Sequence, residues 1–212
     1  MLRTIQIPKA VRIMLPAIIS QMVVLLKDSL ETTPGSTYIT RGCSSRAKRE
    51  NAMSYFTHYW SAPTVEDQRT LAESGATSDV LDHTASNQFR SRGTGPGDSL
   101  YVISFSKSVL RVIGKMTVGQ VVSQEEAERI LPYKLWEADD HCIAIPGSEG
   151  MLRFDVSVSE PQLAGIEFVS ASGLVVGPAR GNDGRVDPQT FRGVREITPT
   201  TATLFDSGLA SY

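Results

Sequence analysis

Two adjacent apolar runs, separated by a short polar break, constrain the fold of this chain more than any other stretch. The turn sequence Gly95-Pro96-Gly97-Asp98 comes first, and a run rich in β-branched and aromatic residues extends from Leu100 to Phe105. Ser106-Lys107-Ser108 follows it, and a second run covers Val109–Val122. Glycine and proline favour the turn, and the composition of both runs favours strands. The stretch therefore predicts a β-hairpin.

The second run alternates in the way expected of a strand with one buried face. Apolar residues at every other position predict a single buried face, with a basic, solvent-exposed face between them. Glycine inside a strand usually marks a bulge or bend that helps a sheet to curl, and Gly114 and Gly119 interrupt this run. The predicted buried set is Leu110, Val112, Met116 and Val118, and the predicted exposed set is Arg111, Lys115 and Thr117.

Shorter elements on both sides of the hairpin complete the predicted fold. Residues 75–98 form a long polar stretch without a strand pattern, which predicts a loop with one or two helical turns within 85–92. This order of elements predicts an α+β domain built on a small, curled, mostly antiparallel β-barrel with short flanking helices. The predicted strands are Ser54–Trp60, Cys142–Ile145, Leu152–Val158 and Ile166–Ala171, and the predicted helices are Val65–Glu73 (after a capping box at Thr64 and Asp67), Gln124–Leu131, Pro188–Val194 and Pro199–Asp206.

Residues 1–52 differ in character from the remainder of the 212-residue chain. They hold eight Lys/Arg and three Asp/Glu, a net charge of +5, whereas the remainder holds 13 and 20, a net charge of −7. The apolar run Ile13–Leu26 is interrupted by Pro16 and is short for a membrane span, and no Ala-x-Ala cleavage site follows it. We expect a poorly ordered extension or a start-site artefact at 1–52, a functional domain at 53–212, and no membrane association.

Charge and cysteine content narrow the classes of function. An acidic body argues against non-specific binding to a long duplex, which needs many phosphate contacts, but it is compatible with a local basic site. Cys43 and Cys142 are too few for a disulfide framework or a zinc knuckle, so a cytoplasmic location is the simplest expectation.

Motifs for catalysis are missing from the sequence. There is no GxSxG elbow, no HExxH zinc motif and no P-loop, and Cys142 precedes Ile143-Ala144-Ile145, an apolar setting in which a thiol is usually inert. These absences favour a protein that is not an enzyme and that needs no cofactor.

Two other classes of function stay open. All three histidines fall in polar, aromatic motifs, which cover residues 58–60, 82–87 and 136–141. Imidazole together with carboxylate suits zinc or manganese. The first alternative is therefore a metal-dependent hydrolase or nuclease that uses His58, His83, Asp82 and His141, although no pair of histidines has helical ligand spacing. The second alternative is a protein-interaction domain, in which the polar stretch is ordinary surface.

The same motifs supply what a protein needs in order to hold a nucleic-acid base. A single-stranded or extruded base is bound by stacking on aromatic rings and by hydrogen bonds to its Watson–Crick edge, while basic side chains bind flanking phosphates. The candidate stacking residues are Tyr59, Trp60 and Trp136; the candidate edge-reading residues are Asp82, Ser86 and Asn87; His58, His83 and Thr84 belong to the same motifs; and the candidate phosphate contacts are Arg90, Arg92, Arg111 and Lys115.

The chain resembles the PUA-like superfamily, and most of all its EVE-type branch. The resemblance lies in SYFTHYWSAP, LDHTASNQFRSRG and GPGDSLYVIS, followed by LRVIGKMTVGQVVS, and it covers roughly residues 53–171. One part of these segments, LDHTASNQF, and a later segment, GVREITP, are similar to segments of small bacterial EVE-like proteins. The chain departs from the usual EVE pattern by Thr57-His58 ahead of Tyr59-Trp60, and by its two C-terminal helical pieces.

The resemblance implies a small β-barrel with helices packed outside it. It also implies binding of RNA, or of a modified base in an aromatic-lined pocket, often within defence or restriction systems. The pocket would lie between the first strand, the segment 82–92 and the hairpin. We therefore expect a module that binds nucleic acid, DNA or RNA, and recognises a modified or extruded base.

Overall fold

The computed structural model describes residues 53–75 and 79–211, so the expectations for residues 1–52 lie outside the described residues. Eleven strands and five α-helices lie within them. The strands are β1 (Tyr55–Tyr59), β2 (Val80–Leu81), β3 (His83–Ser86), β4 (Ser99–Ser106), β5 (Val109–Val122), β6 (Asp140–Ala144), β7 (Gly150–Met151), β8 (Ser157–Val158), β9 (Phe168–Val169), β10 (Val175–Val176) and β11 (Val194–Ile197). The helices are α1 (Ala62–Glu73), α2 (Phe89–Arg92), α3 (Gln124–Ile130), α4 (Glu160–Ala164), a 3-10 helix (Pro188–Phe191) and α5 (Pro199–Ala210).

Nine of these strands form one sheet, in the order β10-β9-β11-β1-β4-β5-β6-β3, with β8 paired to β5. The β1–β4 pair is parallel, and every other pair in this sheet is antiparallel. This confirms the predicted α+β class with a mostly antiparallel sheet. Within the described residues β10 and β3, at the two ends of the order, are not paired with each other. The sheet is thus not closed into a barrel, and the barrel stays a prediction.

Strand β5 carries an extra residue at two places, next to or at the two glycines in its sequence. Its pairing with β4 shifts at Ile113, beside Gly114, and its pairing with β6 shifts at Gly119. The bounds of the hairpin and both irregularities are confirmed. A Cβ on Gly119 would lie 3.1 Å from the Ala144 carbonyl oxygen, so the second bulge brings the two backbones close together.

Two apolar cores lie on opposite faces of the large sheet, because successive residues of β4 contribute to one core and then to the other. Core A is covered by α4, the 3-10 helix and α5, and core B by α1 and α2. Core A includes Tyr101, Ile103, Phe105, Leu110, Val112, Phe168, Phe191 and Phe205; core B includes Phe56, Trp60, Phe89, Leu100, Val102, Met116, Val118 and Cys142.

The bulge at Ile113 shows that the prediction of one buried face on β5 is wrong. Leu110 and Val112, before the bulge, pack in core A, whereas Met116 and Val118, after it, pack in core B. One extra residue reverses the alternation of a strand, so the four apolar side chains divide between two faces.

The predicted basic face of β5 is divided by the same bulge. Lys115 pairs with Tyr101 and lies on the core A face, where its Nζ is 2.8 Å from Asp206 of α5. Arg111 pairs with Ser104, whose neighbours along β4 belong to core A, so both side chains lie on the core B face. The two basic residues therefore do not share a surface.

Several helix ends follow from the capping chemistry, and one does not. Ser123 and Thr198 accept hydrogen bonds from the backbone N–H groups of Glu126 and Thr201, as predicted for α3 and α5. The first helix begins earlier than predicted, because Ser61 rather than Thr64 caps it and Pro63 occupies its first turn. The predicted helix Pro188–Val194 is only a 3-10 helix over Pro188–Phe191.

The predicted strands were wrong in two situations. Some strands consist of polar residues, and some segments with alternating apolar residues do not pair with another strand. The polar stretch contains the short helix α2, within the predicted 85–92, but also β2 and β3, where a loop was predicted. The segment Val194–Ile197 forms β11 between β9 and β1, and no strand was predicted there. In Leu152–Val158 only Ser157–Val158 is a strand, and within Ile166–Ala171 only Phe168–Val169 is. Within the described residues, no helix is both long enough and apolar enough to cross a membrane.

The close packing of β7 against β5 depends on the absence of a side chain at Gly150. A Cβ at this position would lie 2.5 Å from the backbone oxygen of Lys115, whereas a Cβ on Gly95 would meet nothing within 4 Å. We predict that Gly150→Ala lowers the free energy of unfolding by about 1–3 kcal/mol, in the range of overpacked sites. Gly95→Ala, the matched control, should leave it nearly unchanged. Urea denaturation of both variants checks this, and equal stability of the two would contradict it.

Candidate functional site

Trp60 stands at the end of β1 with its indole ring fixed by a buried hydrogen bond. Its backbone N–H donates to the Ile103 carbonyl, and its indole Nε1–H donates to Thr84 Oγ1 over 3.0 Å. The ring is only 4 % exposed, in core B. Thr84 lies on β3, so this bond joins the first strand to the far end of the sheet.

Thr84 also contacts His58, and the chemistry of the three groups fixes the direction of the hydrogen bonds. The His58 Nδ1 atom is 2.9 Å from Thr84 Oγ1. Burial, with the nearby His83, lowers the pKa of His58 to about 3, so its imidazole is neutral near pH 7. Because the indole can only donate, the Thr84 oxygen accepts from Trp60, and its hydroxyl hydrogen can go to His58 Nδ1. One hydroxyl thus serves two buried rings.

Trp136 is the exposed partner of Trp60. The two ring centroids are 6.0 Å apart at an interplanar angle of 77°, an edge-to-face contact. Trp136 is 45 % exposed, on the irregular segment between α3 and β6. A buried, fixed indole therefore supports an indole whose ring is open to solvent. Trp60 is thus a core residue, and Trp136 is not.

His83 and His141 form a second polar connection on the other side of β3. His83 Nε2 is 2.8 Å from His141 Nδ1, and His141 Nε2 is 2.7 Å from Gln124 Oε1. The Gln124 oxygen also accepts from the Ala138 backbone N–H, which fixes the orientation of its amide. Burial lowers the pKa of both histidines, that of His83 to about 4. His141 therefore donates from Nε2 to Gln124 and accepts at Nδ1 from His83 Nε2–H.

Asp82 and Tyr133 complete the cluster. The Tyr133 hydroxyl donates to Asp82 Oδ1 over 3.1 Å, and its ring lies 6.3 Å from that of His83. Burial is the main cause that raises the pKa of Asp82, and the charge of Glu149 adds to it. Tyr133 is 43 % exposed. The aromatic cluster, as we name it, consists of Trp60, Asp82, His83, Thr84, Tyr133 and Trp136.

The segment that carries Tyr133 and Trp136 is held by polar contacts at its C-terminal end. Asn87 Oδ1 accepts from the Asp139 backbone N–H over 2.9 Å, and Gln124 and His141 hold Ala138. Asn87, predicted to read a base edge, therefore uses its carbonyl oxygen in the fold. Ser86 lies at the end of β3, in register with Asp140 and two residues beyond Thr84.

The predicted phosphate contacts are dispersed. Arg90 is bound to Asp140, with Nη1 3.0 Å from Oδ1, and to the Val121 carbonyl. Arg92, the last residue of α2, is exposed. Arg111 donates to Ser106 Oγ over 3.3 Å, while Lys115 and Tyr59 face core A, away from Trp60. The structure brings together the predicted residues His58, Trp60, Asp82, His83, Thr84 and Trp136, and leaves Tyr59 and Lys115 apart from them.

The metal alternative lacks a ligand set. Among the described residues, no three His, Cys, Asp or Glu side chains come together so as to hold a metal ion. His58 Nδ1 is occupied by Thr84, and both nitrogens of His141 have partners. The three histidines instead organise two hydrogen-bonded connections around β3.

A cleft of about 430 Å³ lies elsewhere in the molecule, at the tip of the β4–β5 hairpin. Its lining includes Lys107, Ser108 and the segment 185–188, and its charged groups Asp183 and Arg185 are exposed and face each other. We favour the aromatic cluster as the functional site, because buried hydrogen bonds hold the rings of Trp60 and His83. At the cleft, the charged groups are held only by solvent-exposed contacts.

Two residues of this site were not predicted from the sequence. They are Tyr133, for which no role in the site was predicted, and Gln124, which was predicted only as the first residue of a helix, as it is. The available signal for Tyr133 was its spacing of three residues from Trp136 on one irregular segment. Gln124 carried no such signal, since its role depends on the pairing of β5 with β6.

Comparisons with known proteins add little to this geometry. No family model matches the chain, and no significant match was found among curated proteins. One solved structure, a hypothetical protein from Leishmania major, is similar with 12% sequence identity and a TM-score of 0.39, over 76% of this chain and 96% of that one. Similarity at this level supports no inference about function.

The double hydrogen bond of Thr84 predicts the effect of a conservative substitution. Thr84→Val leaves the buried Trp60 N–H and His58 Nδ1 without their partner, and should cost about 1–3 kcal/mol of unfolding free energy. Thr94 is the matched control, because it is also buried and its hydroxyl makes no hydrogen bond among the described residues. Thr94→Val should be nearly neutral. Chemical denaturation checks both, and a neutral Thr84→Val would show that the bonds contribute nothing.

The buried histidines predict acid sensitivity. The pKa of His83 is lowered in the folded state from 6.5 to about 4, so the unfolded chain takes up the proton first as pH falls below about 6.5. Between pH 7.5 and 5 this one group should remove about 2 kcal/mol of unfolding free energy. His83→Gln, which does not titrate, should reduce this loss. Denaturation curves at the two pH values test it; an equal loss in both proteins would contradict the assignment.

Proposed function

We propose that this protein is a nucleic-acid-binding module that recognises a modified or extruded base on the aromatic cluster. The observation that carries the proposal is the half-exposed Trp136, placed edge-on against a buried Trp60 that is itself locked by Thr84. An exposed indole on a fixed support offers a face for stacking with little loss of conformational freedom, and stacking on aromatic rings is how single bases are held.

The polar groups beside the tryptophans suit the edge of a base. Asp82 accepts hydrogen bonds, the Tyr133 hydroxyl can donate or accept, and both are partly exposed next to the rings. In this proposal a base stacked on Trp136 directs its edge toward Tyr133, three residues earlier on the same segment, and toward Asp82, which Tyr133 contacts. Such a combination of apolar faces and a few polar atoms is typical of small-ligand recognition.

Phosphate contacts in this proposal come from α2, which follows β3 directly. Arg92 lies exposed at the end of that helix, and Arg90 is half exposed although it also binds Asp140. Few basic residues near the site agree with the net charge of −7 outside residues 1–52, and favour recognition of one or two nucleotides over a long tract.

The resemblance to PUA-like, EVE-type proteins supports the same proposal. It covers the strand that ends in Trp60, the segment that contains Asp82 and Thr84, and the hairpin. The finer parts of the proposal are a sheet curled as in the family's small barrel, and a role within a bacterial defence or restriction system. The bulges of β5 at Ile113 and Gly119 agree with strong curling, because bulges increase local twist.

Tryptophan fluorescence tests the proposal, because the chain has only two tryptophans and both are in the aromatic cluster. We predict that short single-stranded or modified oligonucleotides quench the emission at low salt, where phosphate contacts are strongest. Trp136→Ala should weaken binding by about ten-fold or more, since stacking contributes about 1–3 kcal/mol per base. Binding of the variant is measured by the anisotropy of a labelled oligonucleotide.

Leu174→Ala serves as the control, because Leu174 is exposed and lies in the β9–β10 turn, outside the cluster. It should bind as the wild type does. If Trp136→Ala and Leu174→Ala bind alike, the cluster is not the site. If no oligonucleotide binds to the wild type, the function is not nucleic-acid recognition.

A further inference from the structure

The Asp82 carboxyl group of the aromatic cluster lies in an unusual electrostatic setting. It is partly buried, and among the described residues no lysine or arginine lies within ion-pairing distance of it. Its hydrogen-bond donor is the neutral hydroxyl of Tyr133. A carboxylate removed from water without a cation is costly, and it favours any positive charge brought close to it.

A second carboxyl group adds to this negative potential. The charge of Glu149 acts on Asp82 in the same direction as burial, and both raise the Asp82 pKa. The two neighbouring histidines do not offset it, since burial keeps His58 and His83 neutral. Asp82 therefore brings negative charge to the cluster, and no lysine or arginine among the described residues pairs with it.

The exposed rings of the segment that contacts Asp82 through Tyr133 add to the attraction for a cation. Tyr133 and Trp136 are both more than 40 % exposed and lie on the same short segment, three residues apart. The faces of tyrosine and tryptophan attract positive charge, and tryptophan does so most strongly. An exposed tyrosine ring at a carboxylate that has no lysine or arginine partner among the described residues, with an exposed indole on the same segment, supplies the elements of a site for a flat or alkylated cation.

We propose that the aromatic cluster selects a nucleobase that carries a positive charge through methylation of a ring nitrogen. This inference rests on the proposed function and gives the class of base. The charged ring stacks on Trp136, and Asp82 accepts a hydrogen bond from the amino group of the base, which the positive charge makes a stronger donor. The same base without the charge keeps the stacking and loses the attraction to Asp82.

The test compares two isomers that differ in charge and in the place of one methyl group. 1-Methyladenosine is a cation near pH 7, whereas N6-methyladenosine is neutral, and both are titrated against the full chain by tryptophan fluorescence and calorimetry. We expect the cation to bind about ten-fold more tightly or better. A factor of this size is what one contact of a cation with an aromatic ring, together with one carboxylate, supplies.

Three variants assign the preference. Asp82→Asn keeps the shape and removes the charge, so it should weaken binding of the cation much more than binding of the neutral isomer, which brings the ratio close to one. Asp139→Asn, an equal loss of charge at an exposed position on the segment that carries Trp136, should keep the ratio. Tyr133→Phe removes the hydroxyl donor but not the charge, so the preference for the cation should persist. Near-ultraviolet circular dichroism establishes that each variant is folded.

The outcomes separate this inference from the function on which it rests. Equal affinity for the two isomers, or a ratio that Asp82→Asn leaves as in the wild type, overturns the selection of a charged base and leaves base recognition in place. Failure of the wild type to bind either isomer, as nucleosides and within short oligonucleotides, overturns both. A ratio abolished by Asp82→Asn and retained in Asp139→Asn supports the inference.

Discussion

The extra residue at Ile113 in strand β5 is the constraint on which the arrangement of this domain depends. It reverses the alternation of the strand, so that Leu110 and Val112 fill one core, while Met116 and Val118 fill the core on the opposite face. Without this bulge, the two-residue alternation of β5 would place all four of these side chains on the same face of the sheet. With it, β5 pairs with β4, β6 and β8 and contributes apolar side chains to both cores. Helices can then cover both faces of the sheet.

The candidate site is a consequence of the same arrangement at the edge of core B. Strand β3 is polar in sequence because its side chains join elements by hydrogen bonds. Thr84 satisfies Trp60 and His58, and His83 reaches His141 and, through it, Gln124. Buried polar groups that are fully paired are rigid, and they hold neighbouring rings in defined positions. The exposed Trp136 packs edge-on against Trp60, whose ring is held by Thr84.

Local signals in the sequence predicted those parts of the fold that depend on local chemistry. The hairpin, the bulge positions at Gly114 and Gly119, and the caps at Ser123 and Thr198 require only neighbouring residues, and they are confirmed. The strand β3 was missed because a buried threonine cannot be distinguished from a loop threonine until its distant partner is known. The division of the β5 faces was missed because the effect of a bulge depends on which residue is left unpaired.

Part of the membership of the candidate site was predicted from the sequence, and its connections were not. Trp60, Asp82, Thr84 and Trp136 were expected to act together, and they do lie in one cluster. Lys115 and Arg111 were expected on one basic face, and the bulge separates them. Gln124 closes the histidine connection across a strand pairing that no local pattern encodes. Long-range pairing is therefore the information that the sequence pattern lacked.

We propose that Trp136, supported by Trp60, is the surface on which a base stacks. Nuclear magnetic resonance tests it most directly, because the two indole N–H groups of the chain give two separate signals. We predict that a methylated oligonucleotide strongly shifts the signals of Trp136. It should shift the indole N–H signal of Trp60 less, because Thr84 holds that group, and leave the signals of Val175 and Val176 unchanged. Shifts confined to residues outside the aromatic cluster, with Trp136 unmoved, would contradict it.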